Sequence, residues 1–282
     1  MVIERALEKL RQTAATKAAV DRSAPREPAK PSKPSAAPQV PEVRLTFPKC
    51  QCDPAAVAAH RILLPEAPLT ENERVVAAYR MIRTRLLHLS RTNSLRSIAV
   101  TSPGPGDGKS LTSINLALSL ARDPLTSVFL IDLDMRNPSI CRYLGVQPPV
   151  DLLSYFTGDR KPSDVFFSVG TTNLAIAGGL TSTELASELL SSGKLEALLS
   201  YVSSTSPNPI ILLDLPPVLV TDEALLVAPK VDATLLVVSE GKTRRESLAR
   251  AMNMLAEFKS VGVVLNRATE ASANNAYYYD YR

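Results

Sequence analysis

Three groups of residues in this chain carry reactive side chains at spacings that belong together. Ser102-Pro103-Gly104-Pro105-Gly106-Asp107-Gly108-Lys109-Ser110 is a glycine-rich loop that ends in Gly-Lys-Ser. Glycines let backbone N–H groups turn inward around phosphate oxygens, Lys109 supplies a mobile cation, and the Ser110 hydroxyl is a ligand for Mg²⁺. Pro103 stands where the strict pattern has its first glycine. Asp132 and Asp134 follow the apolar run Val128-Phe129-Leu130-Ile131, and Asp214 ends a second run, Ile210-Ile211-Leu212-Leu213. Carboxylates at such strand ends can hold Mg²⁺ or accept a proton from a hydroxyl. Arg136, just behind the pair, is placed to bind phosphate or to steady the two aspartates. Tyr277, Tyr278, Tyr279 and Tyr281 put four of the eight tyrosines into the last six residues. A tail of phenols beyond the last apolar run reads as a set of phosphoryl acceptors, or as an aromatic tail that packs on its own domain or mediates association. The ligand these groups imply is a nucleoside triphosphate.

The elements that must position them are legible in the same stretch. Ser97–Thr101 reads as a short buried strand, and Ile114, Leu116, Ala117, Leu118, Leu120 and Ala121 give the apolar face of a helix after the loop. The start of that helix adds a partial positive charge to the loop. Residues 128–134 form a second strand, whose alternation places Asp132 and Asp134 on one face as long as it persists. In open α/β sheets ligands sit at that carboxyl end. Further strands are expected near 173–177, 209–214, 233–238 and 261–265, with helices near 71–90, 183–203, 221–229 and 244–259. Leu215-Pro216-Pro217 stops the Asp214 strand, because proline cannot donate into a ladder. Strands separated by helices of this size predict an α/β fold, a mostly parallel sheet covered by helices on both faces.

The rest of the composition sets limits. Ile3, Ala6, Leu7 and Leu10 recur at helical spacing, so residues 1–20 are expected to hold an amphipathic helix. Six prolines fall within residues 21–41, and 21–69 reads as a Pro/Ala-rich linker followed by a surface segment. The folded domain spans 70–267, and 268–282 is a flexible tyrosine-rich tail. Residues 1–68 carry 11 Lys/Arg against 7 Asp/Glu, which accounts for the whole net charge of +4. The remainder is balanced, so nucleic acid is not an expected partner. No apolar run approaches the roughly 18–20 residues of a membrane span, and Met1–Leu10 is too charged for a signal peptide. A cytoplasmic chain that reaches a membrane only through a partner is expected. Cys50, Cys52 and Cys141 are too few for a disulfide framework, and Cys50-Gln51-Cys52 lacks the second pair of a zinc site. On the helix near 71–90, Val75, Val76, Tyr79, Ile82, Leu86 and Leu89 share one side. Arg74, Arg80, Arg83 and Arg85 lie elsewhere, as a solvated basic face or as a contact between subunits.

Taken together, these motifs resemble the bacterial tyrosine kinases of the P-loop type (BY-kinases) of capsule and exopolysaccharide synthesis. Pro105–Ser110 is similar to the family's Pro-Gly-Glu-Gly-Lys-Ser, and Leu130–Arg136 resembles its Walker A′ pattern Asp-x-Asp-x-Arg. Leu213-Asp214-Leu215-Pro216-Pro217 resembles the Walker B segment Asp-Ser/Thr-Pro-Pro, and the tyrosine cluster closes a match from about residue 70 to the end. The resemblance implies a P-loop NTPase fold, ATP and Mg²⁺ as cofactors, and an autokinase that phosphorylates its own tyrosine cluster in trans and regulates exopolysaccharide synthesis or export. It further implies that Lys109 neutralises the β- and γ-phosphates, with Pro105, Gly106, Asp107, Gly108, Ser110, Leu111 and Arg136 around the nucleotide. Ser110, Asp132 and Asp214 would serve the metal, Asp132 would help activate the phenol, and Asp134 would assist at the metal or the loop. Asn266 and Arg267 are implied base contacts. Arg80 and Arg83 fit the oligomerisation motif Glu-x-x-Arg-x-x-Arg, although Ala77 replaces its glutamate, and Leu215 replaces the Walker B hydroxyl residue.

Ile3–Leu10 looks like the opening of autokinases encoded with exosortase-linked exopolysaccharide systems. The implied partners are a transmembrane polysaccharide chain-length regulator on a separate chain, which recruits the protein to the inner face of the plasma membrane, further copies of the chain in a homo-oligomer, and a cognate tyrosine phosphatase. Two other readings stay open. One is a Min/Par-type ATPase, which shares the fold but carries Lys-Gly-Gly-x-Gly-Lys in its loop. The other is a nucleotide-gated scaffold of a polysaccharide export machine without kinase activity.

Overall fold

The computed structural model describes residues 45–64, 73–170 and 173–269. The expected N-terminal helix, most of the linker, and Tyr277, Tyr278, Tyr279 and Tyr281 lie outside these residues. Among the described residues, no helix is long and apolar enough to cross a membrane.

The first element is α1 (Pro54–Ala59), begun by Asp53, whose side chain accepts the Ala55 N–H at 3.0 Å. Residues 45–64, read from sequence as part of the linker and surface segment, give Val57 and Ile62 to the main core. α2 (Glu73–Asn93) follows, then β1 (Ser97–Thr101), the glycine loop, and α3 (Lys109–Leu120). β2 (Ser127–Asp132) leads through α4 (Ile140–Leu144) and α5 (Leu152–Thr157) to a short edge strand, β3 (Phe166–Phe167). β4 (Leu174–Ala177), α6 (Ala186–Leu190), α7 (Lys194–Thr205) and β5 (Pro209–Asp214) come next. The described chain closes with α8 (Glu223–Val227), β6 (Ala233–Ser239), α9 (Arg245–Met254) and β7 (Ser260–Asn266).

Among the described residues seven strands form one sheet in the order β3-β4-β2-β5-β1-β6-β7. Every neighbouring pair is parallel except β3 and β4. Period-two alternation divides the central strands between two cores. Ile98, Val100, Val128, Leu130, Ile210 and Leu212 face the core that holds Leu86 of α2 and Leu116 of α3. Ala99, Phe129, Ile131, Ile211 and Leu213 face the other, with Leu152, Leu195, Leu198 and Ala251. Strands buried on both sides have no polar face to show, which is why they read as unbroken apolar runs. The expected sheet with helices on both faces is the one observed.

Three local expectations change. β2 ends at Asp132 rather than running to residue 134, so Asp134 is placed by a turn, with its carbonyl accepting the Asn137 N–H at 3.0 Å. The helix expected over 183–203 is two helices, α6 and α7, and Gly193 between them adopts φ 80°. The helix expected over 221–229 is α8 followed by a 3-10 turn at Ala228–Lys230, where Pro229 cannot continue the α-helical bonding.

Candidate active site

β1 and β5 are adjacent and parallel, with Val100 opposite Asp214, and β2 is adjacent to β5, with Asp132 opposite Asp214. The loop after β1 and the acids of β2 and β5 therefore meet at one carboxyl edge of the sheet, although 105 residues separate Lys109 from Asp214 in the chain.

At the centre lies Lys109, 9% exposed. Its ammonium is 2.7 Å from Asp134 Oδ2 and 3.4 Å from Asp214 Oδ2, and it donates to Ser110 Oγ at 3.1 Å. Burial alone would lower its pKa, but Asp214 and Asp134 outweigh that and hold it above the ordinary lysine value. Asp214 is fully buried and accepts the Ser113 hydroxyl at 3.0 Å. Burial raises its pKa even against the pull of Lys109. Asp132 is held differently. Its Oδ2 accepts the N–H groups of Ser139 and Ile140, each at 2.9 Å, and its Oδ1 accepts the Asp134 N–H at 3.3 Å. Burial first, and then the charge of Asp214, push its pKa up to about 7. A carboxyl group poised near neutral pH is suited to proton transfer.

A cleft of about 1350 Å³ opens over this centre. Pro105, Gly106, Gly108, Lys109, Ser110 and Leu111 line it on the loop side, as do Asp134 and Arg136 beyond, and Asn266 and Arg267 at the far end. Of the Asp132–Asp134 pair, Asp134 is the one that lines the cleft, because the strand ends before it and turns it toward Lys109. Arg136 does not contact either aspartate of that pair. Its Nε donates to Glu223 Oε1 at 2.7 Å, and its Nη1 pairs with Glu184. Glu223 is fully buried, and its Oε2 has no hydrogen-bond partner.

Asp107 is buried beneath the loop, where its Oδ2 accepts the Gly104 N–H and its Oδ1 the Thr243 hydroxyl, both at 3.0 Å. Asn266 Nδ2 donates to the Asp107 carbonyl at 3.0 Å, and its Oδ1 accepts the Arg267 N–H at 2.8 Å. Sequence reasoning did not single out Ser113, Glu223, Lys242 or Thr243. Ser113 sits one helical turn beyond Lys109, a spacing that could have marked it. Lys242 and Thr243 had no such signal, since they meet the loop across 137 and 136 residues. Arg80 and Arg83 stand apart from the acids on α2, where Arg83 Nη1 donates to the Ser119 carbonyl at 3.2 Å.

Among the described residues, no group of three His, Cys, Asp or Glu side chains is placed to hold a metal ion unaided. Mg²⁺ commonly needs fewer, because it keeps several waters and shares the substrate's phosphates with one or two carboxylates. The Ser110 hydroxyl and the buried Asp214 carboxylate, adjoining at the foot of the loop, fit that requirement.

The family whose model matches residues 94–278 is ParA, described as NUBPL iron-transfer P-loop NTPase. Tyrosine-protein kinase YwqD of Bacillus subtilis (strain 168) is 33% identical over 193 residues, which cover 67% of this chain and 79% of that protein. Tyrosine-protein kinase CpsD of Streptococcus pneumoniae serotype 4 is 30% identical over 185 residues, 62% of this chain and 77% of that protein. Among solved structures, the VpsO kinase domain superposes with a TM-score of 0.61 at 30% identity, over 72% of this chain and 100% of that domain.

Proposed function

Because this chain belongs to the ParA family of P-loop NTPases and to the bacterial tyrosine-protein kinases, we propose that it transfers the γ-phosphoryl group of ATP to its own C-terminal tyrosines, in trans. The observation that carries this reading is the placement of Lys109 between Asp134 and Asp214 in a cleft whose wall runs on to Arg267, Ala268 and Thr269. In the sequence, the tail with Tyr277, Tyr278, Tyr279 and Tyr281 follows Thr269. In this reading the loop N–H groups and Lys109 hold the β- and γ-phosphates, and Arg267 is the base contact. A tyrosine oxygen bonds to the γ-phosphorus as the bridging oxygen leaves with ADP, and the phenol proton passes to the Asp132–Asp134 pair. Mg²⁺, held by Ser110 and Asp214, would neutralise charge on the transferring group. The protein supplies mainly position and charge, since this chemistry needs little else.

The wider setting follows the motif resemblance. The activity would regulate exopolysaccharide synthesis or export, with a transmembrane chain-length regulator on another chain drawing the protein to the inner face of the plasma membrane. Arg80 and Arg83 would contribute to contacts between copies, and a cognate phosphatase would reverse the modification. The ParA match favours one rival, ATP hydrolysis without transfer.

A mixing experiment separates these readings. A chain with all four tail tyrosines changed to Phe is incubated with Mg-ATP and a Lys109→Met chain whose tail is intact. Phosphotyrosine on the Lys109→Met chain is the expected result. ATP turnover with no phosphotyrosine on either chain would contradict the proposal and favour the rival.

A further inference from the structure

Two carbonyls of the phosphate loop are held from outside it. Lys242, on the loop after β6, donates its Nζ–H to the Pro105 carbonyl at 2.7 Å. Asn266, at the end of β7, donates its Nδ2–H to the Asp107 carbonyl at 3.0 Å. A peptide unit is planar and trans, so its C=O and N–H point in opposite directions. Holding the Pro105 carbonyl on Lys242 therefore turns the Gly106 N–H away from Lys242. Holding the Asp107 carbonyl on Asn266 likewise turns the Gly108 N–H away from Asn266. Gly106 and Gly108 both line the cleft.

The fit around these two units is close. Gly106 has φ +73°, and an ideal Cβ there would stand 2.4 Å from Lys242 Nζ. Gly108 has φ +93°, and its Cβ would stand 1.9 Å from Asn266 Nδ2. The side chain of Asp107, between them, is pinned by the Gly104 N–H and the Thr243 hydroxyl. Both ends of the Asn266 amide are engaged within the chain, the Oδ1 by the Arg267 N–H.

We propose that Lys242 and Asn266 are positioning residues for nucleotide binding, which act through the loop backbone by aiming the Gly106 and Gly108 N–H groups at the phosphates. This inference rests on the reading that the loop binds ATP, and it assigns Asn266 a role other than base recognition. Lys242 supplies from a distant element a constraint that the loop itself lacks. Its charge also lies near the phosphates, so the test must separate orientation from simple attraction.

Calorimetric titration of the intact chain with Mg-ATP and Mg-ADP provides that separation. Lys242→Met and Asn266→Ala are each expected to weaken both nucleotides about tenfold, the worth of one aligned hydrogen bond to a charged group. The loss is expected to persist in about 1 M KCl, where screening leaves only roughly 3 Å of electrostatic reach. Lys242→Arg, which can still donate to the carbonyl, is expected to recover most of the affinity. Unchanged melting temperatures would show that the variants fold. Unchanged nucleotide affinity in both variants would overturn the inference, as would a Lys242→Met loss that vanishes in high salt. A wild-type chain that binds ATP but forms no phosphotyrosine would refute the kinase reading and leave this one standing. A wild-type chain that binds neither nucleotide would remove both.

Discussion

Asp134 Oδ2 stands 2.7 Å from the ammonium of Lys109, closer than Asp214 at 3.4 Å, although only Asp214 ends a strand that touches β1. One buried cation thus answers two carboxylates, with a third, Asp132, behind them. Lys109→Met is expected to abolish phosphotyrosine formation and to lower the melting temperature more at pH 8 than at pH 5. The sign follows from the acids. Without the lysine the folded pKa values of Asp214 and Asp132, already raised by burial, rise further above the unfolded ones, so the folded state is penalised increasingly as pH rises and they ionise. Thermal unfolding at the two pH values checks it, and an equal loss at both would contradict it.

The Asp132 carboxyl, raised to about 7, has a consequence for rate. If it takes the phenol proton, phosphotyrosine formation is expected to fall as pH drops through about 7, because the protonated acid cannot accept. The check is a pH–rate profile of the wild type. A rate flat from pH 5.5 to 8 would contradict the assignment.

Arg136 separates two kinds of ion pair. Its partner Glu223 is fully buried, whereas the Glu184 side chain is 89% exposed. Glu223→Ala is expected to cost about 1–3 kcal/mol, since it removes a buried charged hydrogen bond. Glu184→Ala is expected to cost no more than about 0.5 kcal/mol, as exposed pairs do. Denaturant unfolding of both variants measures the contrast.

Leu215 occupies the position at which the resembling kinases carry a hydroxyl. The structure turns its side chain into the core shared with Leu213 and Val218, and it is fully buried there. Leu215→Thr is therefore expected to destabilise the fold by about 2–5 kcal/mol, as truncation of a buried leucine does, without raising the rate. A gain in autophosphorylation at unchanged stability would contradict this.

The strands were readable because burial on both faces leaves only apolar residues between their ends. β1, β5 and β6 accordingly appear within a residue of the expected ranges. The loop and Asp214 were readable for the same reason, since each abuts such a run. What stayed hidden depends on the backbone path or on distant partners. Alternation carried Asp134 onto the strand face, but β2 stops at Asp132 and the turn places the side chain instead. The break at Gly193 sits inside a continuous helical pattern and is a matter of its left-handed φ. β3 is two residues long and offers no periodicity at all. Lys242 and Thr243 look like any polar loop until the fold brings them under Pro105 and Asp107.

The central claim, that this cleft transfers phosphate to tyrosine, is tested most directly by mass spectrometric mapping of the purified chain after incubation with Mg-ATP. The expected result is phosphate on the cluster Tyr277, Tyr278, Tyr279 and Tyr281, and none there in Lys109→Met. Consumption of ATP with all four tyrosines unmodified would contradict it.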